Sequence, residues 1–171
     1  MEIQQIRAKV KSSIWQAVAQ SGVNLASVPA EQQSKLVDSI ADTLLETINE
    51  VMDDAPGAKP RVDALLDGEE QIIWEGRPFL SLVESYVITS ERIKTVKGLI
   101  GKDIENFELI RVQDVDVSQN LSERIFNIGD ITIRGHDPSD PTLELRNIKD
   151  PQAVYELLRK AWLAARKKYG L

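Results

Sequence analysis

The sequence predicts an α+β protein in which an N-terminal helical hairpin precedes a seven-stranded antiparallel β-barrel or sandwich, capped by a C-terminal helix. Three observations indicate this fold class. Apolar residues recur at helical spacing up to about residue 54. From Gly68 onward, short β-type segments follow one another with turn residues between them. A last apolar stripe at helical spacing closes the chain.

The first helix is predicted over residues 2–20, where one apolar stripe runs along the segment. Arg7, Lys11 and Trp15 flank that stripe at four-residue spacing. This pattern fits an interfacial membrane helix, and it also fits the first arm of a helical hairpin. The hairpin is the favoured interpretation, because the second helix has a broad apolar face that needs a cover.

The second helix is predicted to begin near Pro29, since proline suits a first helical turn. Its apolar positions cover about half of the circumference, more than one neighbouring helix requires. The rest needs another surface, either the following domain or a second copy of the chain. The candidate helix–helix or oligomer face comprises Leu36, Ile40, Leu44, Leu45, Ile48 and Met52. The acidic residues Asp38, Asp42, Glu46, Glu50 and Asp53 are interpreted as a solvated face.

Residues 55–67 contain Pro56, Gly57 and Pro60 and are predicted to be a linker between a hairpin at 1–54 and a second domain at 68–171. The second domain contains β-type runs too closely spaced for long helices to separate them, which favours an antiparallel arrangement. The predicted strands lie at 71–76, 84–89, 92–97, 103–109, 112–118, 128–134 and 142–146. A short helical turn is predicted over Leu121 to Phe126.

The closing helix is predicted from Asp150 and Pro151, as a cap and a first-turn residue respectively. Its buried stripe is expected to comprise Val154, Leu157, Leu158, Ala161, Trp162 and Ala165.

The composition argues against several function classes. The 171 residues include no cysteine and one histidine, His136, so thiol chemistry and histidine-rich metal sites are excluded. A net charge of −6 is unfavourable for nucleic-acid binding. The first residues lack a signal-peptide core, and no segment approaches the ~20 apolar residues of a transmembrane helix. Gly98 to Asp103 lacks phosphate-loop spacing. We therefore expect no catalysis, no cofactor and no metal site in a cytoplasmic protein, with peripheral membrane association left open.

Residues 68–163 resemble the bacterial pleckstrin-homology (PH)-like domain family. The order of seven strands and one helix matches that family, and so do several segments. The most specific runs from Gln113 to Ile131; the others are GEEQIIWEGRPF at 68–79, YVITSERI at 86–93, KGLIGKD at 97–103 and LELRNIKDP at 143–151. The resemblance implies a PH-like fold, with ligands bound at loops beside the barrel opening. Members often carry transmembrane segments, and the N-terminal helices lie outside the resemblance.

Two functions follow as hypotheses. The first is a non-enzymatic adaptor or assembly module that binds a protein partner or associates with itself. The alternative is a peripheral module that binds anionic membrane surfaces. Each lysine or arginine near such a surface contributes about 1 kcal/mol of attraction. The candidate contact residues are Arg7, Lys11, Trp15, Arg77, Phe79, Leu80, Lys97 and Lys102.

Overall fold

The computed structural model describes residues 3–54, 68, 70–98, 103–136 and 141–170. The chain divides into two compact units, Met1–Val51 and Met52–Leu171. Helix α1 spans Ile3–Ser21 and helix α2 spans Ala30–Asp53, both within one or two residues of their predicted starts. Among the described residues, no helix combines the length and the apolarity that crossing a bilayer requires. The predicted linker lies outside the described residues.

The first unit is the predicted helical hairpin. Gly22, with φ +71°, ends α1, and Gln33 in the first turns of α2 fixes the connection by donating its side-chain amide to the carbonyls of Leu25 and Val28. Helix α2 turns one apolar face inward, with Val37, Ala41 and Leu45 buried at four-residue spacing. The hairpin is thus held by one narrow apolar seam and by charged contacts beside it.

The described part of the second unit contains two antiparallel sheets. The first sheet consists of β1 (Ile72–Gly76), β2 (Glu84–Thr89), β3 (Arg92–Lys97) and β4 (Asp103–Glu108); the second consists of β5 (Val112–Ser118), β6 (Ile128–Gly135) and β7 (Thr142–Lys149). In both sheets the strands are ordered as in the sequence, so each pairs with its neighbour in the chain. The predicted α+β class is confirmed, and of the two predicted arrangements the sheets form the sandwich rather than the closed barrel.

The core lies between the sheets and beneath the last helix, α4 (Pro151–Lys168). Alternate residues of the central strands point inward, among them Ile131 and Ile133 of β6. Helix α4 covers the core with Val154, Leu158, Ala161 and Ala165, a single stripe along one face. The short helix α3 (Leu121–Ile125) begins at Asn120, which forms a reciprocal capping box with Glu123.

The start of α4 differs from its prediction. Asp150 adopts a left-handed backbone conformation, φ 49° and ψ 60°, and its side chain makes no capping hydrogen bond. Its backbone N–H instead donates to the carbonyl of Asn127 at 2.8 Å, which ties the start of α4 to the residue before β6. Pro151 then opens the helix as predicted, so the sharp turn at Asp150 is held by backbone contacts rather than by a side-chain cap.

Candidate functional site

Arg7 and Lys11, predicted to face a membrane or partner, form ion pairs within the hairpin. Arg7 donates from Nε and Nη2 to the two carboxylate oxygens of Asp42 at 2.6 and 2.9 Å. Lys11 pairs with Asp38, which also lies 3.7 Å from Arg7 Nη2. The hydrogen bond to Asp42 is the main reason that the pKa of Arg7 is raised.

These ion pairs correct two sequence interpretations. Asp38 and Asp42 are partly buried and hold α1 against α2, so they do not belong to a solvated acidic face. The two cations that suggested an interfacial helix are directed at α2. Trp15 stays 37% exposed, whereas Arg7 and Lys11 are held in ion pairs with α2.

One face of α2 is apolar and exposed. Its side chains are 39–66% exposed and follow one another at three- or four-residue spacing: Leu36, Ile40, Leu44, Ile48 and Val51. We call this set the α2 stripe. Four of its members are in the predicted helix–helix or oligomer face. Of the other two predicted members, Leu45 is buried and Met52 is partly exposed.

Arg77 and Phe79 lie inside the second unit, at one end of the sandwich. The Arg77 guanidinium donates from Nε to Asp53 Oδ1 at 2.9 Å and from Nη1 to the carbonyl of Ser81 at 2.8 Å. The Phe79 ring contacts Phe126 with centroids 5.4 Å apart. Both side chains organise the loop between β1 and β2, and in this conformation neither faces a partner. Leu80 is partly exposed at the loop tip, with φ 59°.

The same end of the sandwich exposes apolar residues that the sequence reasoning did not select. The Phe79–Phe126 contact joins the β1–β2 loop to α3, and Gly98 donates its N–H to the carbonyl of Val83 at 2.7 Å. We define the loop end as residues 77–83, between β1 and β2, together with residues 119–127, which include α3. Its exposed large apolar residues are Leu82, Val83, Leu121 and Ile125, with Leu121 81% exposed. The four-residue spacing of Leu121 and Ile125 indicates that both side chains lie on one face of α3.

The two remaining predicted contact residues are Lys97 and Lys102. Lys97, at the end of β3, is about half exposed and lies 3.3 Å from Glu105. Lys102 lies outside the described residues. Arg124 and Lys149 add exposed cations near the loop end, on α3 and at the end of β7 respectively.

The opposite end of the second unit holds a charged cavity of about 440 Å³. Glu91, in the β2–β3 turn, accepts hydrogen bonds from Lys168 Nζ at 2.6 Å and Tyr169 Oη at 2.9 Å. These contacts, chiefly that from Lys168, lower the pKa of Glu91. The cavity also touches Glu70, Arg92, Glu108 and Ile110. Glu91 pairs with Lys168 and Glu70 with Arg92, and the first of these pairs fastens the end of α4 to the β2–β3 turn.

Beside this cavity lies a buried ionic cluster that the sequence reasoning did not anticipate. The Glu70 side chain is 1% exposed and accepts hydrogen bonds from Thr89 Oγ1 at 2.5 Å and Arg92 Nε at 3.0 Å. The buried Lys94 ammonium lies 3.6 Å from its other oxygen. Alternation along β3 places Arg92 and Lys94 on one face, but nothing in the local pattern links them to Glu70.

Among the described residues, no group of three or more histidine or carboxylate side chains could hold a metal ion. Two surfaces of the described residues expose several large apolar side chains close together, the α2 stripe and the loop end.

Comparison with known proteins agrees with the fold. The family described as the bacterial PH domain matches residues 76–162, just over half of the chain. A DUF1696 family protein with a pleckstrin-homology domain from Shewanella loihica PV-4 is similar in structure, with 14% identity and a TM-score of 0.45 over 61% of this chain and 96% of that one. A pleckstrin homology domain from Shewanella amazonensis SB2B gives 14% identity and 0.42 over 59% and 82%. No curated protein matches. On the family match, this chain belongs to the bacterial PH domain family.

Proposed function

We propose that this protein is a non-enzymatic adaptor that binds a protein partner through the α2 stripe. The observation that carries the proposal is the imbalance of apolar residues in the hairpin. Three apolar residues of α2 are buried, whereas five large ones are exposed in a continuous row. Contiguous exposed apolar surface of this kind marks protein or membrane interaction sites.

The charge of α2 favours a protein over a membrane as the occupant. The helix carries six acidic side chains and one basic one, Lys35. Four of these carboxylates are ion-paired, and Lys35 itself pairs with Glu31, so the helix offers little positive charge to anionic lipid. Attraction to the cytoplasmic leaflet depends on lysine and arginine near its surface. The family supports a binding role as well, since PH-like domains are generally non-catalytic.

The test is affinity capture from native extract with the full-length chain as bait. The variant Ile40→Glu/Leu44→Glu places two carboxylates in the middle of the stripe. Leu163→Glu is the matched control, since Leu163 is 51% exposed on α4. We expect partners retained by the wild type and by the control to be lost with the double variant. Identical captures by all three baits would refute the proposal.

A second candidate function, peripheral membrane contact, rests on the loop end. Its four exposed apolar residues could enter the lipid interface, with Lys97, Arg124 and Lys149 supplying positive charge. Glu105, 3.3 Å from Lys97, offsets part of that charge, so any attraction should be weak and sensitive to salt.

Flotation with phosphatidylserine-containing vesicles at low and moderate salt tests this second candidate. Binding at low salt should be lost in Leu121→Asp and kept in Leu163→Asp. Absence of flotation at low salt, where screening is weakest, would eliminate membrane contact by this surface.

A further inference from the structure

We infer that the protein partner of the α2 stripe is a second copy of this chain, with the two α2 helices packed antiparallel. The inference rests on the proposed function and identifies its partner. It follows from the spacing of the stripe, from the charges along α2 and from the apolar area available.

The stripe has a self-complementary spacing. Leu36, Ile40, Leu44 and Ile48 are evenly separated by four residues along α2. If two copies pack antiparallel about an axis at the level of Asp42, Leu36 faces Ile48 and Ile40 faces Leu44. A two-fold interface requires such a match, because the same patch must serve on both subunits. Each layer then pairs a leucine with a β-branched isoleucine.

The surface of the stripe is free of charge. At about 100° per residue, its five members cover an arc of about 120°. The polar residues of α2 within that arc are Gln33 and Thr47, and every residue of α2 is described. A facing apolar helix therefore desolvates no ionised group, which would otherwise oppose association.

The charges outside the stripe favour the antiparallel direction. Glu46, Glu50 and Asp53 lie in the C-terminal half of α2, and the only basic residue of the helix, Lys35, lies in the N-terminal half. Parallel packing would bring each acidic half beside its copy. Antiparallel packing separates these halves and opposes the two helix dipoles.

The available area sets the strength of the association. Each buried methylene accounts for roughly 30 Å² of surface, so the half-exposed stripes of two copies offer on the order of 600 Å². Standard stable interfaces bury at least about 1,200 Å². Flanking side chains such as Thr43 add to the apolar contribution. We therefore expect a reversible dimer, with Kd on the order of 10 µM.

Analytical ultracentrifugation of the full chain between about 1 and 300 µM measures this equilibrium. We expect monomer and dimer, with Kd raised more than about 100-fold in Ile40→Glu/Leu44→Glu because carboxylates would be buried. Leu163→Glu should dimerise like the wild type. Circular dichroism must show that the double variant keeps its helices. As a second, milder variant, Leu44→Ala should weaken the dimer without adding charge.

The direction can be tested by disulfide trapping, because the chain has no cysteine of its own. In the antiparallel dimer, a residue at position 36 lies about 18 Å from its copy and opposite position 48. A disulfide requires Cα atoms within about 7 Å. A mixture of Leu36→Cys and Ile48→Cys chains should therefore yield mixed disulfide dimers, and Leu36→Cys alone should not cross-link.

The outcomes separate this inference from the proposed function. A chain that stays monomeric throughout, or a dimer unaffected by the stripe variants, overturns self-association through α2. Cross-linking of Leu36→Cys alone overturns the antiparallel arrangement. If the chain is monomeric but a partner captured from extract depends on the stripe, the inference fails and the proposed function stands. If no capture depends on the stripe either, both fail.

Discussion

Glu70 is a single carboxylate buried among cations. It touches Arg92 and Lys94 of β3, and both its own side chain and that of Lys94 are at most 5% exposed. Removing one partner of a buried ion pair is strongly destabilising, because the remaining charge stays buried without compensation. Glu70 therefore stabilises the fold by compensating the positive charges of Arg92 and Lys94.

We predict that Glu70→Gln lowers the free energy of unfolding by about 3 kcal/mol. The amide keeps the shape of the side chain but not its charge, so Lys94 loses its ionic partner. Urea denaturation followed by tryptophan fluorescence measures the change.

Glu105→Gln is the matched control for this substitution. Its pair with Lys97 is exposed on both sides, and such pairs are worth at most about 1 kcal/mol. Equal destabilisation by the two substitutions would show that burial of the Glu70 cluster does not govern its contribution.

At the scale of elements, Tyr86 connects the two sheets. Tyr86 of β2 is fully buried, and its Oη accepts a hydrogen bond from the backbone N–H of Arg146 in β7 at 3.2 Å. Burial is the main cause that raises the pKa of Tyr86. The folded protein thus keeps this hydroxyl protonated at a pH where the unfolded chain, with a tyrosine pKa near 10, has begun to lose the proton.

The sign of the pH effect follows from that difference. Above about pH 10 the unfolded state binds fewer protons than the folded state, so stability falls as pH rises. We predict that Tyr86→Phe costs about 1 kcal/mol at pH 8, through the lost hydrogen bond. The variant should also show a shallower alkaline decline, so that by pH 11 the difference from the wild type shrinks by about 1 kcal/mol.

Urea titrations of both proteins at pH 8, 9, 10 and 11 measure this convergence. Parallel pH profiles would mean that Tyr86 ionises as readily in the folded protein as in the unfolded chain.

The strands could be predicted from the sequence more completely than the packing of α2. Alternation and turn residues place six of the seven strands to within one residue, because a half-buried strand must repeat every two residues, whereas β7 runs three residues past its predicted end at Arg146. Periodicity also separates the two faces of α2, but it cannot say which face packs. Leu44 and Leu45 are adjacent and chemically identical, yet one is exposed and the other is buried. The packed face depends on contacts with α1 such as that between Arg7 and Asp42, which are 35 residues apart and which no local pattern encodes.

The contact residues of the candidate site also depend on contacts between distant parts of the chain, which local sequence patterns do not encode. The resemblance to PH-like domains predicts Arg77 and Phe79 as contact residues, because loops in that fold bind ligands, yet both side chains are buried. The buried guanidinium is stabilised by Asp53, which lies 24 residues earlier. Exposed loop-end residues such as Leu121 resemble core residues in sequence, since exposure depends on whether another element covers them.

At the scale of the whole molecule, the contact between Arg77 and Asp53 bears on where the second domain begins. The predicted boundary starts that domain at residue 68, whereas the compact second unit starts at Met52 and includes Asp53. The Arg77 side chain is 5% exposed, so its charge requires a partner inside the unit. The carbonyls of Pro78 and Ser81 accept hydrogen bonds from it, and Asp53 supplies a carboxylate of opposite charge.

We predict that a fragment of residues 52–171 is more stable than one of residues 68–171 by about 1.5–3 kcal/mol, the usual worth of a hydrogen bond to a charged group. The core itself comes from Trp74 to Ala165, so both fragments retain it and should fold.

In the full chain, Asp53→Asn should reproduce most of the difference, because the amide oxygen keeps a hydrogen bond but loses the charge. Asp54→Asn, at the neighbouring position, is the control and should leave the stability unchanged. Thermal and urea denaturation of these four proteins and of the full-length wild type measures the differences. Equal stability of the two fragments would place the start of the domain at residue 68 and show that Asp53 does not stabilise it.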